Sequence, residues 1–355
     1  MTQPSKTRRS ATRRPMTRRS MTQKLMTQKS KTRKSSPKGL VLGVDIGGTK
    51  VAVGLVDSAG QIVAQGRKPM VADGTAEAAL QAVTGAIDSL LSASGKIHGI
   101  GICSPGPLDP RAGVVVNPPN LPCWRNFPLA EKVAAKYRVP VKLDNDANAA
   151  ALAETRWGAA RGCRYVFYTC VGTGIGTGIV LDGRIYHGRT GAAGEGGHMS
   201  IDYRGPVCGC GKRGCIEVLA AGPAIGARAR TKLGAESSRH SKILDLAKGD
   251  VARVSSEMVG QAYAAGDLLA REILEESVEL LAAWLGNIVD LLDPDVIVMG
   301  GGVAAMLKPF FDEIKNRLPG WCVNPRAAQI PLLMAHYGAD AGIAGAAALC
   351  AEESL

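Results

Sequence analysis

Two α/β domains with a cleft between them are the fold class that the sequence predicts, and three observations predict it. Residues 40–56 and 165–181 each read as a strand, a glycine-rich turn and a returning strand. After each opening, apolar runs of strand length alternate with stretches of helical period. Glycine turns and Asp146 stand at the carboxyl ends of strands, where ligands of such folds bind. The 355 residues, 46% hydrophobic and 21% charged, are enough for two cores.

Order is expected from residue 39. The first domain covers 39–144; the second covers 145–339 and carries a metal loop at 194–217. Residues 40–45 form a strand, 46–49 a turn, 50–56 the returning strand and 61–66 a third. Helical period runs over 75–93 with Thr75 as its cap. A buried strand at 96–103 ends in Ser104-Pro-Gly-Pro107. After a Pro- and Asn-rich loop come a helix at 129–137, a strand at 141–143 and an alanine-rich helix at 147–157. In the second half, strands at 165–171 and 177–181 flank Gly172-Thr-Gly-Ile-Gly176. Helical pieces follow to about residue 264. The longest helix spans 267–292, with Leu268, Leu269, Ile273, Val278, Leu281, Trp284, Leu285 and Ile288 near one stripe. A strand at 295–299 ends in Gly300-Gly-Gly302; a helix at 303–318, a strand at 330–335 and a helix at 341–352 complete the chain.

The net charge of +12 belongs to one end. Thirteen of the 43 Lys and Arg lie in residues 1–38, which hold no Asp or Glu, so 30 basic residues face all 31 acidic ones in the remainder. The body is therefore no basic, nucleic-acid-seeking surface, and no specific nucleic-acid partner is expected. The low-complexity segment 1–38 is expected to be a disordered basic tail. It has no apolar run suited to a secretory signal, is similar in composition to an organelle transit peptide, and contains Met16, Met21 and Met26 as alternative starts. No apolar run approaches a membrane span of about 18 residues, and nine cysteines suit a reducing cytoplasm.

Gly194-Glu-Gly-Gly-His198 precedes Cys208-x-Cys210-Gly-x-x-Gly-Cys215-x-Glu217. Three thiolates and an imidazole suit a structural, four-coordinate Zn²⁺, and four protein ligands leave no open position for a catalytic water. A glycine-rich loop with incidental cysteines, or one disulfide, is the competing reading, although Cys-x-Cys is too close to pair comfortably. Closing the loop on a metal would carry Glu195 and Glu217 to fixed places.

Asp45-Ile-Gly47-Gly48-Thr49-Lys50 has the makings of a phosphate loop, with Asp45 able to hold a hydrated Mg²⁺. An ordinary hairpin fits the same residues. Gly172-Thr173-Gly174 in matching context favours the phosphate reading, because two facing loops can grip one polyphosphate. Gly300-Gly301-Gly302 suits close packing of an adenosine or simply a tight turn. Asp144-Asn145-Asp146-Ala-Asn148 offers a general base at a helix N-terminus, where the dipole favours the ionised form; plain capping accounts for one or two of these residues.

With Asp45-x-Gly-Gly-Thr-Lys50, Asn145-Asp146-Ala-Asn148, Glu195-x-Gly-His198 and the cysteine signature in this order, the chain resembles the ROK family (repressors, open reading frames and kinases) over residues 40–349. Its sugar kinases, glucokinases above all, are the nearest likeness. The resemblance implies an actin-like ATPase (ribonuclease H-like) fold in which a C-terminal helix at 340–353 returns to complete the first domain, ATP, Mg²⁺ and structural Zn²⁺ as cofactors, and phosphoryl transfer to the 6-hydroxyl of a hexose, glucose first. It implies Asp146 as the base, Asn145, Glu195, His198 and Glu217 on sugar hydroxyls, and Gly106 and Asn120 in loops of the sugar cleft. His198, Cys208, Cys210 and Cys215 match the zinc ligands, Gly48, Thr49, Thr173 and Gly174 the phosphate contacts, and Gly301 the adenosine side. Fructose, mannose, N-acetylmannosamine and N-acetylglucosamine stay open as substrates, as does polyphosphate as donor. Dimers are usual in the family, so a homodimer or higher homo-oligomer in the cytoplasm is expected. Two rivals are a sugar-responsive repressor, which needs a longer and apolar-patterned N-terminal region, and a structural actin-like protein, which leaves Glu195, His198 and Glu217 unexplained.

Overall fold

The computed structural model describes residues 39–91, 96–235 and 240–351. The expected basic tail and the outer ends of the helices expected at 75–93 and 341–352 lie outside the described residues. β1 (Leu40–Ile46), β2 (Lys50–Val56) and β3 (Ile62–Pro69) form an antiparallel meander. α1 (Ala76–Leu91) starts at Thr75, whose hydroxyl accepts the Ala78 N–H at 3.1 Å, and β4 (Ile97–Ser104) returns parallel to β1. The small hairpin of β5 (Leu108–Asp109) and β6 (Val114–Val115) precedes α2 (Leu129–Tyr137) and β7 (Val141–Asn145), which lies parallel to β4. The first sheet thus has the order β3-β2-β1-β4-β7.

α3 (Asp146–Arg156) leads to the second half, where β8 (Tyr165–Val171), β9 (Ile175–Leu181) and β10 (Arg184–Ile185) repeat the meander. A helical region follows: α4 (Ile216–Ala220), α5 (Gly222–Ala235), α6 (Lys242–Leu246), α7 (Ser256–Ala264) and α8 (Leu268–Leu292). β11 (Val296–Gly300) joins β8 in parallel, α9 (Gly302–Leu307) and α10 (Phe311–Arg317) intervene, β12 (Leu332–Met334) pairs with β11, and α11 (Ala341–Cys350) ends the described chain. The second order, β10-β9-β8-β11-β12, has the same pattern of directions as the first.

α3 and α11 lie against each other between the sheets, α11 on β1 and β4 and α3 on β8 and β9. Small residues make this approach feasible. A Cβ on Gly101 would stand 1.6 Å from the Ala346 carbonyl oxygen, and one on Gly43 would stand 2.1 Å from that of Ile343. Away from this layer, Trp124 and Phe127 stack in the first core, and Phe167 meets Trp284 edge-on in the second, at 5.6 Å between centroids.

Several details differ from the sequence reading. The helix expected at 303–318 is broken into α9 and α10 at Lys308–Phe310, because Pro309 has no N–H to donate and its ring crowds the preceding turn. The strand expected at 330–335 shortens to β12 after Pro331. Leu268, assigned to the apolar stripe of α8, is 74% exposed, whereas the other seven named residues are buried. β5, β6 and β10 are two residues each, too short for a period to register. Among the described residues no helix is long and apolar enough to cross a membrane.

Candidate active site

Strand register brings the first acidic residues together. Asp45 of β1 is level with Cys103 of β4, and Cys103 with Asp144 of β7, so the three share one row across the sheet. Cys103 donates towards Asp45 Oδ1 at 3.5 Å, and Gly342 at the start of α11 presses on the same carboxyl group, since a Cβ there would lie 2.4 Å from Asp45 Cγ. Burial raises the pKa of Asp45, while Cys103, Lys50 and Arg67 pull it down.

The sheet hands directly into α3. Asn145, the last residue of β7, caps the helix by accepting the Ala147 N–H at 2.9 Å, and Asp146 is the first helical residue. Asp146 opens to solvent on one side and is hemmed by protein on the others. Poor solvation, with the nearby charge of Asp45, lifts its pKa above 3.8, against the Ala147 N–H that reaches its Oδ1 at 2.8 Å. The direction is opposite to what the helix terminus alone dictates. Gly106 lies beside Asn145, whose Nδ2 would be 4.0 Å from a Cβ there. Asn120 lies against the first glycine turn, its carbonyl oxygen 3.0 Å from where a Gly48 Cβ would be. Within that turn Gly47 N–H donates to Lys50 O at 2.9 Å, and Thr49 is exposed.

Asp144, buried beneath this segment, accepts the Asn145 N–H at 2.8 Å and the Asn148 amide at 3.1 Å, and its Oδ2 meets His187 Nε2 at 2.6 Å. His187 was absent from the sequence reading. It sits in a loop just after the two-residue β10, where no spacing marks it. Asn148 Oδ1 is the one buried side-chain polar atom without a partner among the described residues.

On the opposite side, segment 194–198 is fastened to β9. Thr177 Oγ1 donates to the Gly194 carbonyl and accepts the Gly196 N–H at 2.8 Å, while Trp284 Nε1 donates to the Gly196 carbonyl at 3.1 Å. Gly197 passes so near Ile175 that a Cβ would be 1.9 Å from its carbonyl oxygen. Glu195 is left exposed at the mouth. Glu217, in the first turn of α4, accepts the Ile175 N–H at 2.9 Å through Oε2, so it braces the second glycine turn; its Oε1 stands 3.8 Å from His198 Nδ1. A Cβ at Gly174 would collide with this carboxylate at 2.6 Å.

His198, Cys208, Cys210 and Cys215 present one donor atom each, all within 4.8 Å of one another. The His198 Nδ1 to Cys208 Sγ and Cys210 Sγ to Cys215 Sγ separations are both 3.7 Å. A tetrahedron with ligands about 2.0–2.3 Å from its centre has edges of roughly 3.3–3.8 Å, so the donor set fits a Zn²⁺-sized cation. Burial and the neighbouring thiols push the Cys215 thiol up to about 12; a cation at the centre would reverse this by stabilising thiolates.

A cavity of about 1030 Å³ opens from Gly172 and Thr173 between α5, α7 and α9, lined in part by Arg230, Ser255, Glu257, Gln261 and Gly302. Gly301, expected on the adenosine side, is not in its wall. With φ +91° it packs against the end of β8, where a Cβ would be 2.4 Å from the Val171 carbonyl oxygen. The lining from α5 and α7 was not legible in the sequence, because nothing local ties residues such as Gly226, Arg230 and Gln261 to the glycine turn at 172–176.

Residues 41–353 match the profile of the ROK family. A glucokinase from Streptomyces coelicolor is 33% identical over 315 residues, covering 88% of this chain and 98% of that protein. An N-acetylmannosamine kinase from Escherichia fergusonii is 33% identical over 314 residues, covering 88% and 99%. The crystal structure of a ROK family glucokinase from Streptomyces griseus in complex with glucose and AMPPNP superposes with a TM-score of 0.74 at 34% identity, covering 88% of this chain and 99% of that one. On a family match that spans most of its length, and relatives matched nearly end to end, the chain belongs to the ROK family.

Proposed function

We propose that this sugar kinase transfers the γ-phosphoryl group of ATP to the 6-hydroxyl of a hexose, glucose first, with Asp146 as general base. The observation that carries the reading is Asp146 at the head of α3, open to solvent, next to the capping Asn145 that Gly106 adjoins, and near enough to Asp45 to feel its charge. A carboxylate so held can accept the hydroxyl proton as the oxygen attacks phosphorus. Asp45 would hold hydrated Mg²⁺, which spreads charge over the phosphates when bound. Gly47, Gly48, Thr49 and Lys50 on one side, and Thr173 and Gly174 on the other, would contact the phosphates, with the large cavity beside Gly172 taking the nucleoside and Gly301 outside its wall, packed on the end of β8. Asn145, Glu195, His198 and Glu217 would hold sugar hydroxyls, with Asn120 and Gly106 as neighbouring wall. Zn²⁺ on His198 and the three cysteines would fix that wall and take no part in the chemistry. Closure of the two halves would exclude water, the competing nucleophile.

An N-acetylated hexosamine is the second reading, favoured by the N-acetylmannosamine kinase relatives at the same identity. A coupled ADP assay with Mg-ATP over glucose, mannose, fructose, N-acetylmannosamine and N-acetylglucosamine ranks the sugars by kcat/KM. Glucose is expected first; an N-acetyl sugar ranked first would overturn the glucose assignment, and ADP release with none of them the kinase reading itself.

A further inference from the structure

Between β10 and Glu195 the chain makes a strap, residues 187–194, with no helix or strand in it. Gly188, Gly191 and Gly194 all take positive φ, so the strap has few restraints of its own. Its ends meet, since the Ala193 N–H donates to the His187 carbonyl at 3.2 Å. Both ends also rest on the segment that carries Asp146. At one end His187 Nε2 stands 2.6 Å from Asp144 Oδ2; a carboxylate oxygen only accepts, so the imidazole supplies the N–H. At the other, Gly194 lies over Asn148, where a Cβ would be 3.6 Å from Oδ1. Asp144 and Asn148 are themselves joined at 3.1 Å, and Asp144 also accepts the Asn145 N–H. The middle of the strap is tied by Arg111 of the β5–β6 turn, which donates to the carbonyls of Gly188 at 3.0 Å and Arg189 at 3.4 Å. Beyond it, Thr177 fastens Gly194 and Gly196 to β9 of the second sheet, whereas Asp144 belongs to β7 of the first.

We propose that His187 is a positioning residue for sugar binding: its bond to Asp144 registers the strap on the segment that carries the base, so that Glu195 and Asp146 face the same hexose. This role rests on the sugar-kinase reading above. Asp144 is buried and His187 largely so, and a hydrogen bond between them is poorly screened by solvent. Cutting it frees the closed neck of a glycine-rich strap two residues before Glu195, and that freedom must then be lost when the sugar binds. Asp146 itself keeps its place, because Asp144 still holds Asn145 and Asn148 through Oδ1. The effect therefore falls on sugar affinity and spares the chemical step. A histidine that merely satisfied a buried carboxylate would act through folding stability, on nucleotide and sugar alike.

Three variants of the full chain test this: His187→Ala, His187→Asn and His187→Gln. The Gln amide nitrogen reaches the place of Nε2 and the Asn nitrogen only that of Nδ1, so Gln restores the bond to Asp144 and Asn does not. Ala and Asn are expected to raise the sugar KM about tenfold, the scale of one hydrogen bond to a charged group, with kcat and the ATP KM within about twofold of the unaltered protein. Gln should stay near the unaltered protein in all three constants. Amide hydrogen exchange over residues 188–195, followed without ligands, should quicken in Ala and Asn and not in Gln. A sugar KM unmoved in Ala and Asn, Gln behaving as Asn does, or matching losses for sugar and nucleotide overturns the positioning role, as does exchange unchanged in all three. Should Ala fail to fold, Asn against Gln carries the same comparison. Failure of the kinase reading shows in the unaltered protein, as no ADP release with any sugar, whereas failure of the positioning role shows only in the variants.

Discussion

At Asp146, poor solvation of the carboxylate and a neighbouring carboxylate work against a backbone N–H, and the former prevail. As a base it must be ionised, so turnover should be lost as pH falls through a pKa that lies above 3.8. Replacing Asp45 with Asn removes one of the raising influences, although not the largest, and should move the acid limb of kcat to lower pH. An unmoved limb would show that Asp45 does not sense Asp146. Asp146→Asn is expected to lower kcat by about 10²–10⁴, the usual worth of a positioned base, while sugar affinity by calorimetry stays near that of the unaltered protein. Of the residues at this side of the site, Asp45 and Asp146 were legible because a glycine turn or a cap motif frames them. Cys103 and His187 were not, since their partners Asp45 and Asp144 are 58 and 43 residues away in sequence.

Between 194 and 217 the chain gains little from regular structure: a single 3-10 turn, Gly196–His198, and then α4. Cross-links through Thr177 and Trp284 fasten it instead, and a cation on the four metal-type donors would add another. Cys215→Ser should therefore abolish stoichiometric zinc by metal analysis and raise the sugar KM by about 10–100-fold, the scale seen when supports of a metal site are removed. Retention of full sugar affinity without metal would refute the role given to the cation. The α3–α11 layer offers a contrasting test. Gly101→Ala drives a Cβ to 1.6 Å from the Ala346 carbonyl oxygen, a clash that backbone must absorb. The expected loss is at least about 1–3 kcal/mol, read from urea unfolding. The donor set was legible from its spacing. The glycine contact was not, because Gly101 and Ala346 meet only when the last helix returns to the first sheet.

Over the whole molecule, two sheets of identical strand order flank a pair of small-residue helices, one of them reached only at the end of the chain. If sugar contacts drive closure, small-angle scattering should show a smaller radius of gyration with glucose and AMPPNP together than with AMPPNP alone. Equal radii would count against induced closure. The repeated strand–turn–strand opening, the helix caps and the cysteine spacing were settled by sequence alone, because each depends on residues within about twenty positions of one another. Only the tertiary structure decided that Glu217 braces the second glycine turn, that His187 holds Asp144, and that α5 and α7 wall the large cavity. These are contacts between distant segments, and a local pattern constrains which face a residue presents without naming what it will meet.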